Sequence, residues 1–92
     1  MQIATWPTNL ADSEKTVIDG LTAIGGAIPG AQKANILLHL AEAFAEAGDG
    51  GKAAQYITGA EDLLASAGGT IFYIEAVARI AKIRAILQRQ QA

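Results

Sequence analysis

The chain has one histidine and no cysteine, so His39 is the only imidazole or thiol that could bind a metal, and histidine ordinarily titrates near neutral pH. It stands between Leu38 and Leu40, with Glu42 three residues further along the same predicted helix. A metal or acid–base site would need more partners, from elsewhere in the fold or from a symmetry-related copy. We therefore interpret His39 as a partly exposed structural residue and predict no metal site and no cofactor.

The acidic side chains are the other candidates for catalysis, and several fall in the middle of the sequence. Paired carboxylates act as general acid and base only when their surroundings separate their pKa values. Here they are spaced along the polar faces of predicted helices, which favours a solvated surface. These residues are Glu42, Glu46, Asp49, Glu61 and Asp62. Because no nucleophile–base pair is present either, we predict that the protein is not an enzyme and assign no catalytic residues.

Basic residues are concentrated in the last predicted helix, which holds four of the seven lysines and arginines. Arg79, Lys82 and Arg89 lie near one side of it and form a secondary basic face, and Arg84 is the fourth basic residue. This face could bind nucleic-acid phosphates, bind an acidic peptide, or complement the C-terminal end of the helix dipole. The net charge of −2 and the absence of interleaved aromatic residues favour the dipole interpretation over nucleic acid.

Three glycine doublets divide the chain into four segments of helix length. Gly-Gly is costly inside a helix and permits left-handed backbone angles, so each doublet predicts a turn. The doublets are Gly25-Gly26, Gly50-Gly51 and Gly68-Gly69. Hydrophobic residues make up 51% of the chain, with alanine the most frequent among them, whereas aromatics make up 5%, which favours helices over strands. We predict a single all-α domain over residues 1–92, with antiparallel helices at about 10–27, 31–47, 50–67 and 71–90.

Capping residues stand at the predicted helix ends. Asn9 or Asp12 can cap the first helix, Asp49 the third and Thr70 the fourth. Gly48 is placed to end the second helix. The same pattern of helices is compatible with a stack of helical hairpins or with a four-helix bundle.

The fourth predicted helix is apolar on two sides, which is typical of a helix that is either sandwiched in a core or half-buried and half-available to another chain. One side carries Ile71, Ile74, Ala78, Ala81 and Ala85. The other carries Tyr73, Val77, Ile80, Ile83 and Leu87, and we predict that this second side contacts another chain. Charged residues are 17% of the sequence, against about 25% in an average soluble domain, so some apolar surface should remain uncovered. The predicted function is therefore self-association as a homodimer or other homo-oligomer, or binding of a protein or peptide.

Two other functions remain open. The many alanines could leave a cavity between the hairpins for a small apolar ligand. The last helix could alternatively bind nucleic acid weakly through its basic face. No apolar stretch reaches the roughly 18 residues of a membrane span, and residues 1–7 lack the pattern of a signal peptide, so we expect a cytoplasmic location and no membrane partner.

The central hairpin, about Ala34–Ala67, resembles one degenerate tetratricopeptide repeat, a helix–turn–helix unit of about 34 residues. The positions compatible with its pattern are Leu37, Leu40, Ala41, Phe44, Ala53, Ile57 and Ala60. The closing proline is replaced by Ala65. The resemblance covers about a third of the chain and implies a non-catalytic module that binds peptides or proteins in a concave groove.

Overall fold

The computed structural model describes residues 7–66 and 70–91 of the chain, and all of its regular structure in these ranges is helical. The helices are α1 (Leu10–Ile24), α2 (Gly30–Glu46), α3 (Gly50–Leu64) and α4 (Ile71–Gln91), with a short 3-10 turn at Gly25–Ala27. The prediction of an all-α protein with four antiparallel helices is therefore confirmed. The predicted turn at Gly68-Gly69 lies outside the described residues.

The helices begin at the predicted capping residues. The side-chain oxygens of Asn9, Asp49 and Thr70 each accept a hydrogen bond from the backbone N–H three residues further on, at 2.8, 3.1 and 3.2 Å. Each bond satisfies a donor that the first turn of a helix would otherwise leave free. Local sequence therefore determines where α1, α3 and α4 start.

The turn between α2 and α3 depends on Gly48, whose φ of +87° is rarely adopted by residues with a side chain. The doublet Gly50-Gly51, which predicted this turn, instead forms the first residues of α3. The turn thus lies just before the doublet, because Asp49 caps the helix immediately after Gly48.

Helix α2 is the centre of the fold and packs against each of the other three helices, most extensively against α3 and α4. The buried core combines small residues of α2 and α3 with branched aliphatic residues of α4. Its members are Ala31, Ala34, Leu38, Leu40, Ala41, Phe44, Ala45, Ala53, Tyr56, Ile57, Ala60, Leu64, Ala76, Ile80, Ile83 and Ile86. No helix in the described ranges has both the length and the hydropathy needed to cross a membrane.

Helix α1 is the least embedded element, because none of its residues is fully buried. Leu10, Val17 and Ile18 pack partly against the core. A polar contact adds to this packing: the Lys52 ammonium on α3 lies 2.7 Å from the Glu14 carboxylate on α1. The first helix therefore covers the α2–α3 hairpin from outside without completing its core.

Candidate interaction surface on α4

The side of α4 that was predicted to contact another chain lies mostly inside this one. Ile80 and Ile83 are 7% and 0% exposed, and Tyr73 and Leu87 are half-buried against the core. Of the five predicted residues, Val77 alone is open to solvent, at 48% exposure. The assignment of this side as an intermolecular surface is therefore corrected, since most of it is used within the chain.

The physical reason lies in the sizes of the side chains on α4 and α2. Apolar residues recur with helical spacing on both sides of α4. The buried side carries the larger aliphatic residues, so its burial removes more apolar area from water. Helix α4 packs against α2, whose buried residues include the small side chains of Ala31, Ala34, Ala41 and Ala45. Sequence analysis also missed Ala76 and Ile86, which belong to the same buried side.

The opposite side of α4 is exposed along its whole length. We call Ile71, Ile74, Ala78, Ala81 and Ala85 the outer α4 face, and all five are exposed. Ile71 and Ile74 are 62% and 61% exposed, and Val77 flanks them. Large aliphatic side chains clustered on the surface in this way are typical of an interaction site.

The basic residues of α4 nearest to α2 are paired within the chain. The Arg79 guanidinium and the Lys82 ammonium lie 2.7 and 2.9 Å from the Glu42 carboxylate. The hydrogen bond from Lys82, aided by the attraction of both cations, holds the pKa of Glu42 below its usual value in spite of its burial. Arg79 Nε is buried and has no hydrogen-bond partner in the described part of the chain. These three residues tie α4 to α2.

The remaining basic residues of α4 are exposed. Arg84 lies 3.0 Å from the Glu61 carboxylate on α3. Arg89 forms no ion pair with any described side chain. Glu42 thus offsets part of the positive charge of the basic face predicted from Arg79, Lys82 and Arg89, which weakens the attraction of this face for phosphates.

His39 lies exposed on α2. In the described ranges, no group of three or more histidines and carboxylates is placed to hold a metal ion.

A cleft of about 480 Å³ opens where the N-terminal ends of α2 and α4 meet the C-terminal end of α3. One wall is held in place by Asn35, whose side-chain amide donates a 2.9 Å hydrogen bond to the Phe72 carbonyl. The lining is mainly apolar and consists of Pro29, Gly30, Ala31, Leu63, Ser66, Thr70, Ile71 and Phe72. Its size lies within the usual range for small-molecule sites.

Comparison with known proteins gives no family assignment for this chain. No family model matches it, and neither a curated protein nor a solved structure matches it significantly. The resemblance of the central hairpin to a tetratricopeptide repeat remains a prediction from its residue pattern. The fold and its surface define an all-α helical bundle with an exposed aliphatic helix face.

Proposed function

We propose that the protein is a non-enzymatic interaction module that self-associates, as a homodimer or other homo-oligomer, through the outer α4 face. One observation carries the proposal. Ile71, Ile74 and Val77 stand 62%, 61% and 48% exposed on consecutive turns of one helix. This surface replaces the predicted one and preserves the predicted kind of function.

The driving force is the removal of these aliphatic groups from water. Burial contributes roughly 25 cal/mol per Å² of apolar area, from which the entropy of association and of side-chain ordering must be subtracted. The centre of the outer α4 face carries no charge, and Glu75 and Lys82 lie beside it. An apolar centre with a polar rim is the usual organisation of a specific protein interface.

A matched pair of charge-introducing variants tests the proposal. Ile74→Glu places a carboxylate within the outer α4 face, and Gln55→Glu places the same group at an exposed position of α3. We expect both variants to keep the helical circular-dichroism spectrum of the unmodified chain. By light scattering after size exclusion, only Ile74→Glu should lower the fraction of associated protein. Equal behaviour of the two variants would contradict the proposal.

A second function, binding of a small apolar molecule, is favoured by the cleft between the helix ends. Its apolar lining includes Leu63, Ile71 and Phe72, and its rim includes the exposed Ser66. This function predicts that a monomeric chain binds an environment-sensitive apolar dye with 1:1 stoichiometry. Ser66→Phe should fill the rim and abolish the dye response, whereas Gln55→Phe, away from the cleft, should preserve it. A response unaffected by Ser66→Phe would exclude this cleft as the site.

Nucleic-acid binding receives less support. Arg79 and Lys82 are paired with Glu42, and Arg84 is paired with Glu61. Glu42 and Glu61 place negative charge beside these cations, which weakens their attraction for phosphates.

A further inference from the structure

We infer that the partner on the outer α4 face is the α4 helix of a second copy, lying antiparallel across a two-fold axis near Ala78 and Ala81. This inference rests on the proposed function and specifies its geometry. It draws on the spacing of the exposed residues, their sizes along the helix, and the charges on their flanks.

The exposed residues follow a seven-residue repeat. Continuing the outer α4 face to the exposed Gln88 gives alternating steps of three and four residues, and this row of side chains is called the seam. Such spacing keeps one row of a helix against a partner helix over its whole length. The seam runs through Ile71, Ile74, Ala78, Ala81, Ala85 and Gln88.

The sizes of the seam residues are graded along the helix. Its N-terminal end carries Ile71 and Ile74, and its C-terminal part carries Ala78, Ala81 and Ala85. In an antiparallel pair centred between Ala78 and Ala81, Ile74 of each copy lies opposite Ala85 of the other. Ile74 then packs against a small side chain, and Ile71 lies opposite Gln88. Ala78 and Ala81 face each other at the axis, so no isoleucine packs against another isoleucine. A parallel pair would place isoleucine on isoleucine and alanine on alanine, which would force the helices apart at one end.

The charges flanking the seam favour the same orientation. Glu75 and Lys82 lie on one flank, one repeat apart. In an antiparallel pair, this flank of one helix contacts the same flank of the second copy, which runs in the opposite direction. Glu75 of each chain therefore faces Lys82 of the other. Glu75 forms no ion pair with any described side chain. Lys82 is 61% exposed and has donors to spare beyond its bond to Glu42, so it can bind a second carboxylate.

A parallel pair would create repulsion in the same region. The opposite flank of the seam carries Val77 and Arg84. In a parallel pair the two different flanks face each other, which brings Arg89 near Arg84 of the second copy and leaves Glu75 without a cation. Like charges brought together in this way act against the wrong orientation.

Disulfide trapping distinguishes the two orientations, because the natural chain contains no cysteine. Two single variants, Ile74→Cys and Ala85→Cys, are mixed in equal amounts, air-oxidised and identified by mass. The two positions lie about 16 Å apart along the helix. An antiparallel pair therefore permits only a disulfide between the two different variants, and a parallel pair permits only disulfides between copies of the same variant. The reduced mixture is examined by sedimentation to establish that the variants associate.

An antiparallel seam predicts that the mixed disulfide, which joins one variant to the other, exceeds both like-with-like disulfides by at least about tenfold. A dimer in which each variant forms disulfides mainly with its own kind would overturn this inference while leaving self-association intact. A dimer that forms no disulfide at either position would overturn it as well. Absence of association, tested also with the unmodified chain, would remove both this inference and the proposed function.

A charge variant gives an independent measurement on the antiparallel pair. Glu75→Gln removes two symmetric ion pairs from each dimer, and we expect the dissociation constant to rise about threefold to tenfold at low salt. Glu46→Gln, an exposed residue of α2 away from the seam, is the matched control and should leave the constant unchanged. Equal constants for the two variants would contradict the predicted contact between Glu75 and Lys82.

Discussion

The Tyr56 hydroxyl on α3 donates a hydrogen bond to the Glu14 carboxylate on α1, across 42 residues of sequence. Lys52 donates to the same carboxylate oxygen and lies 5.9 Å from the centre of the Phe44 ring. Tyr56 in turn stacks on Phe44, with ring centres 6.0 Å apart. This cluster connects α1 to the α2–α3 hairpin, which matters because α1 contributes no fully buried residue of its own.

The Tyr56 contact predicts a loss of stability at high pH. Burial and the bond to Glu14 raise the pKa of Tyr56 to about 12, from 10.0 in the unfolded chain. Because the unfolded chain releases this proton first, the contribution of Tyr56 to stability is complete below pH 10 and is lost between pH 10 and about 12. The difference in unfolding free energy between the unmodified chain and Tyr56→Phe should shrink across that interval.

Tyrosinate absorbance provides the direct check. The signal that titrates near pH 12 should be missing from Tyr56→Phe and present in Tyr73→Phe. If Tyr73→Phe loses that signal instead, the assignment of the raised pKa to Tyr56 is wrong.

Glu42 should matter for stability more than an ordinary surface carboxylate does. Glu42→Gln removes the charge that pairs with Arg79 and Lys82, and it leaves the partly buried Arg79 guanidinium poorly satisfied. We expect a loss of about 1–3 kcal/mol by urea denaturation near neutral pH. Glu46→Gln, on the same helix but exposed, should change stability by less than about 0.5 kcal/mol.

The effect of Glu42 should depend on pH in a defined direction. Its pKa is lowered from 4.5 by the hydrogen bond from Lys82, so its contribution is present above pH 4.5 and is lost as the pH falls below that value. The unmodified chain and Glu42→Gln should therefore converge in stability in acid. A difference that stays constant from neutral pH into strong acid would count against this ion-pair cluster.

The two sides of α4 should respond differently to truncation. Ile83 is fully buried, so Ile83→Ala should cost about 2–5 kcal/mol through lost burial and the cavity left behind. Ile74 is 61% exposed, and Ile74→Ala should change the stability of the monomer by less than about 0.5 kcal/mol. Both are measured by denaturation at a dilution where association does not contribute. The reverse order of effects would mean that α4 is rotated from the orientation described here.

Two glycines should respond to alanine with opposite signs. Gly48 has a φ of +87°, and Gly48→Ala should destabilise the α2–α3 turn by about 1–2 kcal/mol. Gly20 lies exposed within α1, with nothing within 4 Å of an added Cβ. Gly20→Ala should stabilise the chain by about 0.5–1 kcal/mol, because it reduces the entropy of the unfolded state and favours the helix. Thermal melts of the two variants should shift in opposite directions, and a shared direction would contradict the roles assigned to these glycines.

The positions of the helices could be predicted because their signals are local. Asn9, Asp49 and Thr70 cap helices through bonds to residues three positions away, and Gly48 supplies the backbone angle that ends α2. Each signal acts within one turn and does not depend on the rest of the fold.

The side of α4 that faces the core could not be predicted in the same way, because apolar residues recur with helical spacing on both of its sides. Which side faces inward is decided by packing against α2, and the side containing Ile80 and Ile83 is the one that becomes buried. The pairing of Glu42 with Arg79, 37 residues away, equally requires the packed helices. Sequence analysis therefore predicted self-association through α4 but assigned it to residues that the fold needs for its own core.

The most direct test of the central proposal is sedimentation equilibrium of the unmodified chain from micromolar to millimolar concentration. We predict that the apparent mass rises with concentration from the 9.5 kDa of one chain to at least twice that value. Ile74→Glu should move this rise to higher concentration by about an order of magnitude or more, since a buried unpaired carboxylate opposes the contact. A mass that stays at 9.5 kDa throughout would contradict self-association, and an unchanged rise in Ile74→Glu would exclude the outer α4 face as its site.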